Sequence, residues 1–472
     1  LLFVGAGPSN PTTTMVDFTG TVTGKPTLFD VAGDAIVFDG FQFKVDLTKL
    51  NSAIIATDPP IPAVPYAGGG LNGITIKNNI ANPYQSISGT NFGSYGNRNA
   101  FSINYGGPTD YRVNVGGGLD NIVVDNNVVT AFVNGAILGD DAGDISFRAA
   151  VAVDLGAGTY TRNTFQTINH DILVRFNSNG PVMIGGSLAN ANTFLGGGVT
   201  YADPNPSGGA VTISFNTFNG AFTGSVLRLQ NNYYASVANV LNNTFTDLRW
   251  GISLENFPAA TVSNNVFSPL ALYTAFRHIT VNTKSLSTNS AAISQVPING
   301  VFTGNTFNAL TTVGGTAMAF YNHDSDNDVL GAFTVGTALS PNVFAKNFTW
   351  AVYLGDQTGL TTTDPAALAL FPEYNLGSPG STTTMVCWNK DINIEKNTFD
   401  VGSGAQYPQF MNNAQRLALE AILWHLPDNV CLGELIYFVP VELMAKVFLQ
   451  GPYDSASGLM YDSLRLATPT IL

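Results

Sequence analysis

Carboxylates, imidazoles and thiols are scarce in this chain, so each place where they gather can be weighed separately. The segment Asn322-His-Asp-Ser-Asp-Asn-Asp328 carries Asp324, Asp326 and Asp328 at every second position. Calcium loops present hard oxygen ligands with that spacing. The glycine and the distant bidentate glutamate of a complete calcium-binding loop do not follow, which leaves a solvated acidic loop as the plainer reading. Ca2+ at these three carboxylates is the one cofactor expectation, and no catalytic residue is assigned.

The four histidines, His170, His278, His323 and His425, stand alone or beside an aspartate. His170-Asp171 and His323-Asp324 could act as dyads, but neighbours along a strand point to opposite faces, which makes direct pairing awkward. Asp140-Asp141 lies in a glycine-rich bend (Gly139-Asp-Asp-Ala-Gly-Asp144), where a solvated turn accounts for both carboxylates. General acid-base chemistry wants a raised-pKa carboxyl or a poised imidazole, and no pattern declares one. A serine nucleophile elbow, a phosphate-cradling glycine loop and a clustered Cys/His metal site are likewise missing from the sequence.

The chain has 472 residues, 19 basic against 32 acidic, a net charge of -13 and only 11% charged residues. A phosphate backbone would be repelled by such a surface, and no Lys/Arg cluster offers a local exception, so nucleic acid is not an expected partner. No apolar run is long enough to span a bilayer. The opening Leu1-Leu-Phe-Val-Gly lacks an initiator methionine and a basic flank, and reads as a processed or fragment end. Low charge with abundant Asn, Thr and Gly points to an exported protein, extracellular or at the cell surface.

What must position any site is a repeat. Asn-Thr-Phe or Asn-Val-Phe begins at Asn163, Asn192, Asn216, Asn243, Asn265, Asn305, Asn342 and Asn397, and the first four intervals are 29, 24, 27 and 22 residues. Self-similarity at that period marks stacked coils. In the coil from Ala210, residues Val211, Ile213 and Phe215 alternate with polar ones, Asn216 is expected to bend the chain, and Phe218 points back inside. Stacking puts each asparagine above the last as an amide ladder, with Phe165, Phe194, Phe218, Phe245, Phe267, Phe307, Phe344 and Phe399 as one buried aromatic file. Leu71 to Ile80 and Leu119 to Val128 repeat the strand-then-Asn-Asn grammar 48 residues apart, read as two coils, and Ala35 to Val45 reads as a first full coil. About 15 coils would then fit between residues 30 and 400.

Strand-Asn-Asn-x-Phe coils of this length resemble the right-handed parallel β-helix of the pectin-lyase-like superfamily. The fold class expected is therefore all-β, a right-handed parallel β-helix (solenoid) with a C-terminal extension containing one capping α-helix. Residues 1-29 are expected as an N-terminal extension or cap, 30-410 as the β-helix and 411-472 as a helix-containing cap and tail. Longer intervals imply inserted loops near 82 to 118, 270 to 298 and 354 to 386. Many β-helix proteins of this kind cleave acidic polysaccharides, using an aspartate cluster for calcium with an Arg or Lys base, or paired carboxylates. Of the hydrolase-type motifs Asn-Thr-Asp, Asp-Asp, Gly-His-Gly and Arg-Ile-Lys, only Asp140-Asp141 is present.

Asn412 to Leu426 is the best helix candidate, with Asn413 as cap, Pro427 as stop, and Leu419, Ile422, Leu423 and Leu426 on one face. It is expected to cover the last coil, whose strand edges would otherwise invite aggregation. Cys387 and Cys431 could staple that cap or remain two buried free thiols. The segment from Lys446 to Arg465 resembles a stretch in large exported surface proteins of Bacteroidota, cargo of type IX secretion, through Leu449, Gly451, Tyr453, Gly458, Met460, Leu464 and Arg465. Those proteins continue further, so this chain, ending at Leu472, is expected to be a segment of something larger.

Three functions stay open on these grounds. The first is a non-catalytic structural or adhesive module of a cell surface or fibre. A second is a polysaccharide-binding or polysaccharide-degrading protein, with Tyr233, Tyr234, Trp250, Trp350 and Tyr353 as candidate sugar-stacking residues. The third is a self-assembly or protein-binding module. Glycan, other copies of the chain and a larger surface assembly are the corresponding partners.

Overall fold

The computed structural model describes residues 2–4, 15–18, 27–31, 35–45, 53–57, 73–83, 99–103, 119–130, 149–154, 156–167, 170–175, 180–202, 209–220, 225–230, 237–255, 257, 259–284, 298–312, 314–323, 330–345, 347–355, 392–394 and 397–399. The chain forms two compact units, Leu1–Trp250 and Gly251–Leu472. Every strand pairing recorded within each of them is parallel, and each strand pairs with the one three elements further along. That is the topology of a parallel β-helix, in which each coil gives one short strand to each of three sheets. Among the described residues there is no α-helix, and the one helical piece is the 3-10 turn Leu188–Asn190.

In the first unit, a coil runs through Val182–Gly185, Thr193–Leu195 and Val199–Ala202, and the next through Val211–Ser214, Thr217–Asn219 and Ser225–Gln230. In the second unit, Ile298–Thr303, Thr306–Phe307 and Gly314–His323 make a coil, followed by Leu330–Val335, Val343–Phe344 and Phe348–Gly355. Strand alternation sorts residues as expected: Val182, Ile184, Val211 and Ile213 are buried, while Met183 and Thr212 between them are partly exposed. The stretch 1–29 supplies strands of its own, with Leu2–Val4 paired to Val37–Asp39 and Met15–Phe18 to Gln42–Val45.

Two readings of coil length need correction. Thr75 pairs directly with Val123 and Ile76 with Val124, so the 48 residues between those two segments form one coil, not two. The coils are accordingly fewer and longer than about 15, since insertions lengthen a coil without adding one. The segments 82 to 118 and 270 to 298 also hold third-sheet strands, Asn99–Ile103 and Arg277–Lys284, within what reads as inserted loop. The proposed C-terminal helix, Cys387 and Cys431 lie outside the described residues.

The asparagine ladder is present, in a chemically complete form. In the first unit Asn79, Asn127, Asn163, Asn192, Asn216 and Asn243 are all buried. Each of the first five donates both its backbone N–H and its Nδ2 to the Oδ1 of the next, as in Asn163 to Asn192 at 2.8 and 3.0 Å. The second Nδ2 hydrogen goes to a backbone carbonyl of the preceding coil, Val124 for Asn163 and Tyr160 for Asn192. Asn265, Asn305, Asn342 and Asn397 repeat the arrangement in the second unit. A buried primary amide is tolerable because every polar atom has a partner.

The bending residue is not the ladder asparagine itself. Positive φ falls one position earlier, at Asn78, Asn126, Arg162, Phe215, Asn242 and Asn264, with Gly304 in the same role. Phe215 is thus a half-buried corner residue and not a core one. The left-handed conformation costs an ordinary L-residue about 1–2 kcal/mol, and the corner imposes it whatever side chain stands there. Two coils replace the single left-handed residue by a wider corner, Ser187 to Ala191 and Thr337 to Pro341. In these, Asn190 and Ser340 offer their carbonyls to the N–H of Arg162 and Gly304, respectively, so the wide corner still meets the coil before it.

Behind the ladder, the phenyl rings of Phe194, Phe218 and Phe245 stack at centroid distances of 4.8 Å, as do Phe307 and Phe344, while Phe267 and Phe307 lie 5.1 Å apart. One core residue departs from this order. Tyr160, in register between Val124 and Ile184, is wholly buried and its hydroxyl has no hydrogen-bond partner. Desolvation of an unpaired hydroxyl costs about 1–3 kcal/mol. Replacing Tyr160 with Phe should therefore raise the urea midpoint, by about 1 kcal/mol of stability. A clear drop in the midpoint would show that the hydroxyl is satisfied in solution.

Candidate functional site

The acidic triplet Asp324, Asp326 and Asp328 lies outside the described residues, as do Asp140, Asp141, His425, Tyr233 and Tyr234. What is described is its approach. The strand Gly314–His323 leads directly to it and pairs with Arg277–Lys284, which sets His323 in register with Lys284 and Tyr321 with Asn282. The same strand pairs on its other side with Phe348–Gly355, so Trp350 stands in register with Thr316, and Thr316 with Arg277. Among the described residues, no group of three or more His, Cys, Asp or Glu side chains is placed to hold a metal ion.

Charged groups in the first unit are used in a sheet column. Asp39, Lys77 and Asp125 are in register on successive coils, and the column continues to Thr161 and Arg162. Lys77 reaches Asp39 at 3.2 Å, and Arg162 grips Asp125 through Nε at 2.8 Å and through a second, Nη2 contact. Burial alone would raise the Asp125 carboxyl, but hydrogen bonds from Arg162 and Thr161 outweigh it and hold the group below the usual carboxylate range. Alternating signs along a column reward the correct stacking register more than they add stability, since exposed ion pairs contribute little. Asn126 to Asn78 and Asn78 to Asp39 add hydrogen bonds of 2.7 and 2.6 Å beside it.

Asp171 is the first buried titratable group of note. Its Oδ1 accepts from the N–H and hydroxyl of Thr167, and its Oδ2 from the N–H of Gly198 on the next coil at 2.8 Å. Burial raises its carboxyl to about 8 against those hydrogen bonds. The position is a clamp between a turn and the following coil, with both oxygens committed to protein donors, rather than a carboxylate aimed at a ligand.

His278 is the second, and sequence reasoning passed over it as a lone histidine. It is the second residue of the strand Arg277–Lys284, is wholly buried, and sets Nε2 at 2.8 Å from the carbonyl oxygen of Asn308. Its ring lies against Phe267, Phe276, Phe307 and Phe348. The signal available in the sequence was its setting, Phe276-Arg-His-Ile279, where an imidazole is flanked by core residues.

Of the proposed sugar-stacking residues, Trp250 is partly exposed, with the Arg249 guanidinium 5.8 Å from its ring centroid. Trp350 and Tyr353 lie on the strand Phe348–Gly355. Taken together, the described residues define a parallel β-helix whose regular polar groups serve the stacking of coils. No family model, curated protein or solved structure was found to match the chain.

Proposed function

We propose that this chain is a non-catalytic structural or adhesive module, extracellular or at a cell surface, in which the β-helix acts as a stiff support. The buried amide ladder carries this reading. In each unit, coil is tied to coil by paired N–H donors on one amide oxygen, an arrangement that resists shear between coils. Among the described residues, the position after each ladder asparagine carries an uncharged, partly or fully exposed side chain, such as Thr193, Thr217 and Thr244 in the first unit and Val266, Thr306 and Val343 in the second. A repetitive surface of uncharged residues suits lateral contact with glycan or with other copies of the chain. The pectin-lyase-like coil grammar and the Bacteroidota-type surface-protein segment from Lys446 to Arg465 support the same placement, in a larger surface assembly reached by type IX secretion.

The test is incubation of the purified chain with a panel of acidic and neutral polysaccharides, with and without millimolar calcium. The expected result is no reducing-sugar or unsaturated-product release above buffer, whereas robust turnover of any member would overturn the proposal. Calcium calorimetry on the same material checks Asp324, Asp326 and Asp328, and absence of heat at millimolar metal removes that site.

A polysaccharide-binding role is the second reading, favoured by Trp250 with Arg249 beside it and by the Arg277, Thr316 and Trp350 register row. In affinity electrophoresis it predicts retardation by a glycan that Trp250→Ala or Trp350→Ala weakens at least several-fold, since ring stacking contributes about 0.5–1.5 kcal/mol beyond burial.

A further inference from the structure

In the second unit, one buried imidazole joins two sheets. Opposite its Nε2 stands the Asn308 carbonyl, which can only accept, so Nε2 carries the hydrogen and Nδ1 is left as a bare lone pair. Nδ1 is buried and, among the described residues, has no hydrogen-bond partner. The next proton must go there, creating a charged N–H donor that meets no acceptor among the described residues. Asn308 itself is held in place, its N–H bonded to the Phe267 carbonyl at 2.9 Å and its Nδ2 to Ser268 Oγ at 3.0 Å. The backbone of Gly251 approaches the His278 carbonyl so closely that a Cβ placed there would lie 2.2 Å from its oxygen, so the strand carrying His278 packs directly on the coil before it.

We propose that His278 is an acid-operated latch of the second unit. While its imidazole is neutral it ties the turn after Thr306–Phe307 to the strand Arg277–Lys284. A second ring proton at Nδ1 puts an unsolvated charge in the core, so acid favours the opened state in which the ring reaches water and the tie is broken. The strands around it carry Glu255, Arg277, Lys284, Tyr321, His323 and Tyr353 as titratable groups. Val266–Pro269 and the Thr306 to Asn308 segment carry none. Among the described residues the imidazole's own partners are the Asn308 carbonyl and four phenyl rings, so no carboxylate is there to stabilise its cation. Phenyl faces attract a cation only weakly compared with what desolvation removes. Burial accordingly pushes the imidazole down to about 4, the Asn308 hydrogen bond opposing it.

The sign follows from that direction. A histidine depressed on folding leaves the unit at full stability above its ordinary value near 6.5, and stability is lost as pH falls from there through about 4. The shift corresponds to a change on the order of a few hundred-fold in the opening equilibrium.

Hydrogen exchange of the full chain, followed by mass spectrometry from pH 8 to pH 4 and corrected for intrinsic rates, tests this. Peptides covering 277–284 and 306–312 should lose protection on the order of 100-fold between pH 7 and pH 4, and peptides covering 211–248 much less. In His278→Phe, and in His278→Gln, whose amide can still donate to Asn308, that acid-induced loss should disappear. The same loss in both variants, or none in the unaltered chain, overturns the proposal. Should neither variant fold, nitrogen-resolved NMR of the unaltered chain decides. His278 held as the Nε2–H tautomer down to pH 5 supports the latch, and ordinary titration near 6.5 overturns it.

Discussion

Asn216→Ala should lower the stability of the first unit by about 2–6 kcal/mol, because two buried donors lose their acceptor at about 1–3 kcal/mol each. Those donors are the backbone N–H and the Nδ2 of Asn192, which reach Asn216 Oδ1 at 3.0 and 2.8 Å. The substitution also takes the Nδ2 donor away from the Ile184 carbonyl and from Asn243 Oδ1. Asn243 Oδ1 keeps the backbone N–H of position 216, so damage falls mainly on the coil before the substitution. Urea denaturation followed by circular dichroism reads the effect. A change below about 0.5 kcal/mol would mean that water replaces the amide at no cost, which the burial of Asn192, Asn216 and Asn243 argues against. Asn216→Asp is a useful companion, since it keeps an oxygen for Asn192 but sets a carboxylate oxygen against the Ile184 carbonyl.

Phe218→Ala should cost a comparable amount, about 3–5 kcal/mol, as transfer free energy plus the cavity left behind. Its ring is wholly buried and lies 4.8 Å from both Phe194 and Phe245, so neither neighbour can close the gap without leaving its own stack. Phe218→Leu keeps most of the volume and should cost roughly 1.5 kcal/mol or less. Phe215→Ala, three residues earlier, supplies the contrast. That ring is half-buried at a left-handed corner, and its loss should cost under about 1 kcal/mol. Equal penalties at 215 and 218 would dissolve the distinction between corner and core.

That pair of residues also shows what the sequence could and could not reveal. The Asn-x-Phe repeat located the buried amides and the buried rings, because stacking in register demands the same residue type at the same point of each coil. It did not locate the residue that turns the chain. The turning position is occupied by Asn78, Arg162, Phe215 and Gly304 in different coils, since geometry imposed by its neighbours overrides propensity there. Coil count was misread for a related reason. A loop can enter between two strands at little entropic cost, so 24 residues and 48 residues both make one coil, and only the pairing of Thr75 with Val123 distinguishes them.

Functional groups were less legible. Asp171 and His278 carry no motif, and their interest comes from burial among residues distant in sequence, Gly198 for one and Asn308 with Phe348 for the other. The acidic triplet was conspicuous in sequence for the opposite reason, since its spacing is local.

The asparagine ladder has a direction, and direction matters to a polymer made from one end. Within each run the backbone N–H and one Nδ2 hydrogen of a rung go forward to the amide oxygen of the next rung, while the other Nδ2 hydrogen goes back to a carbonyl of the preceding coil. During synthesis the newest coil therefore presents waiting donors, and the oxygen that quenches them emerges only with the following coil. A chain stalled after any rung would carry the two forward donors of that rung unsatisfied at its last coil.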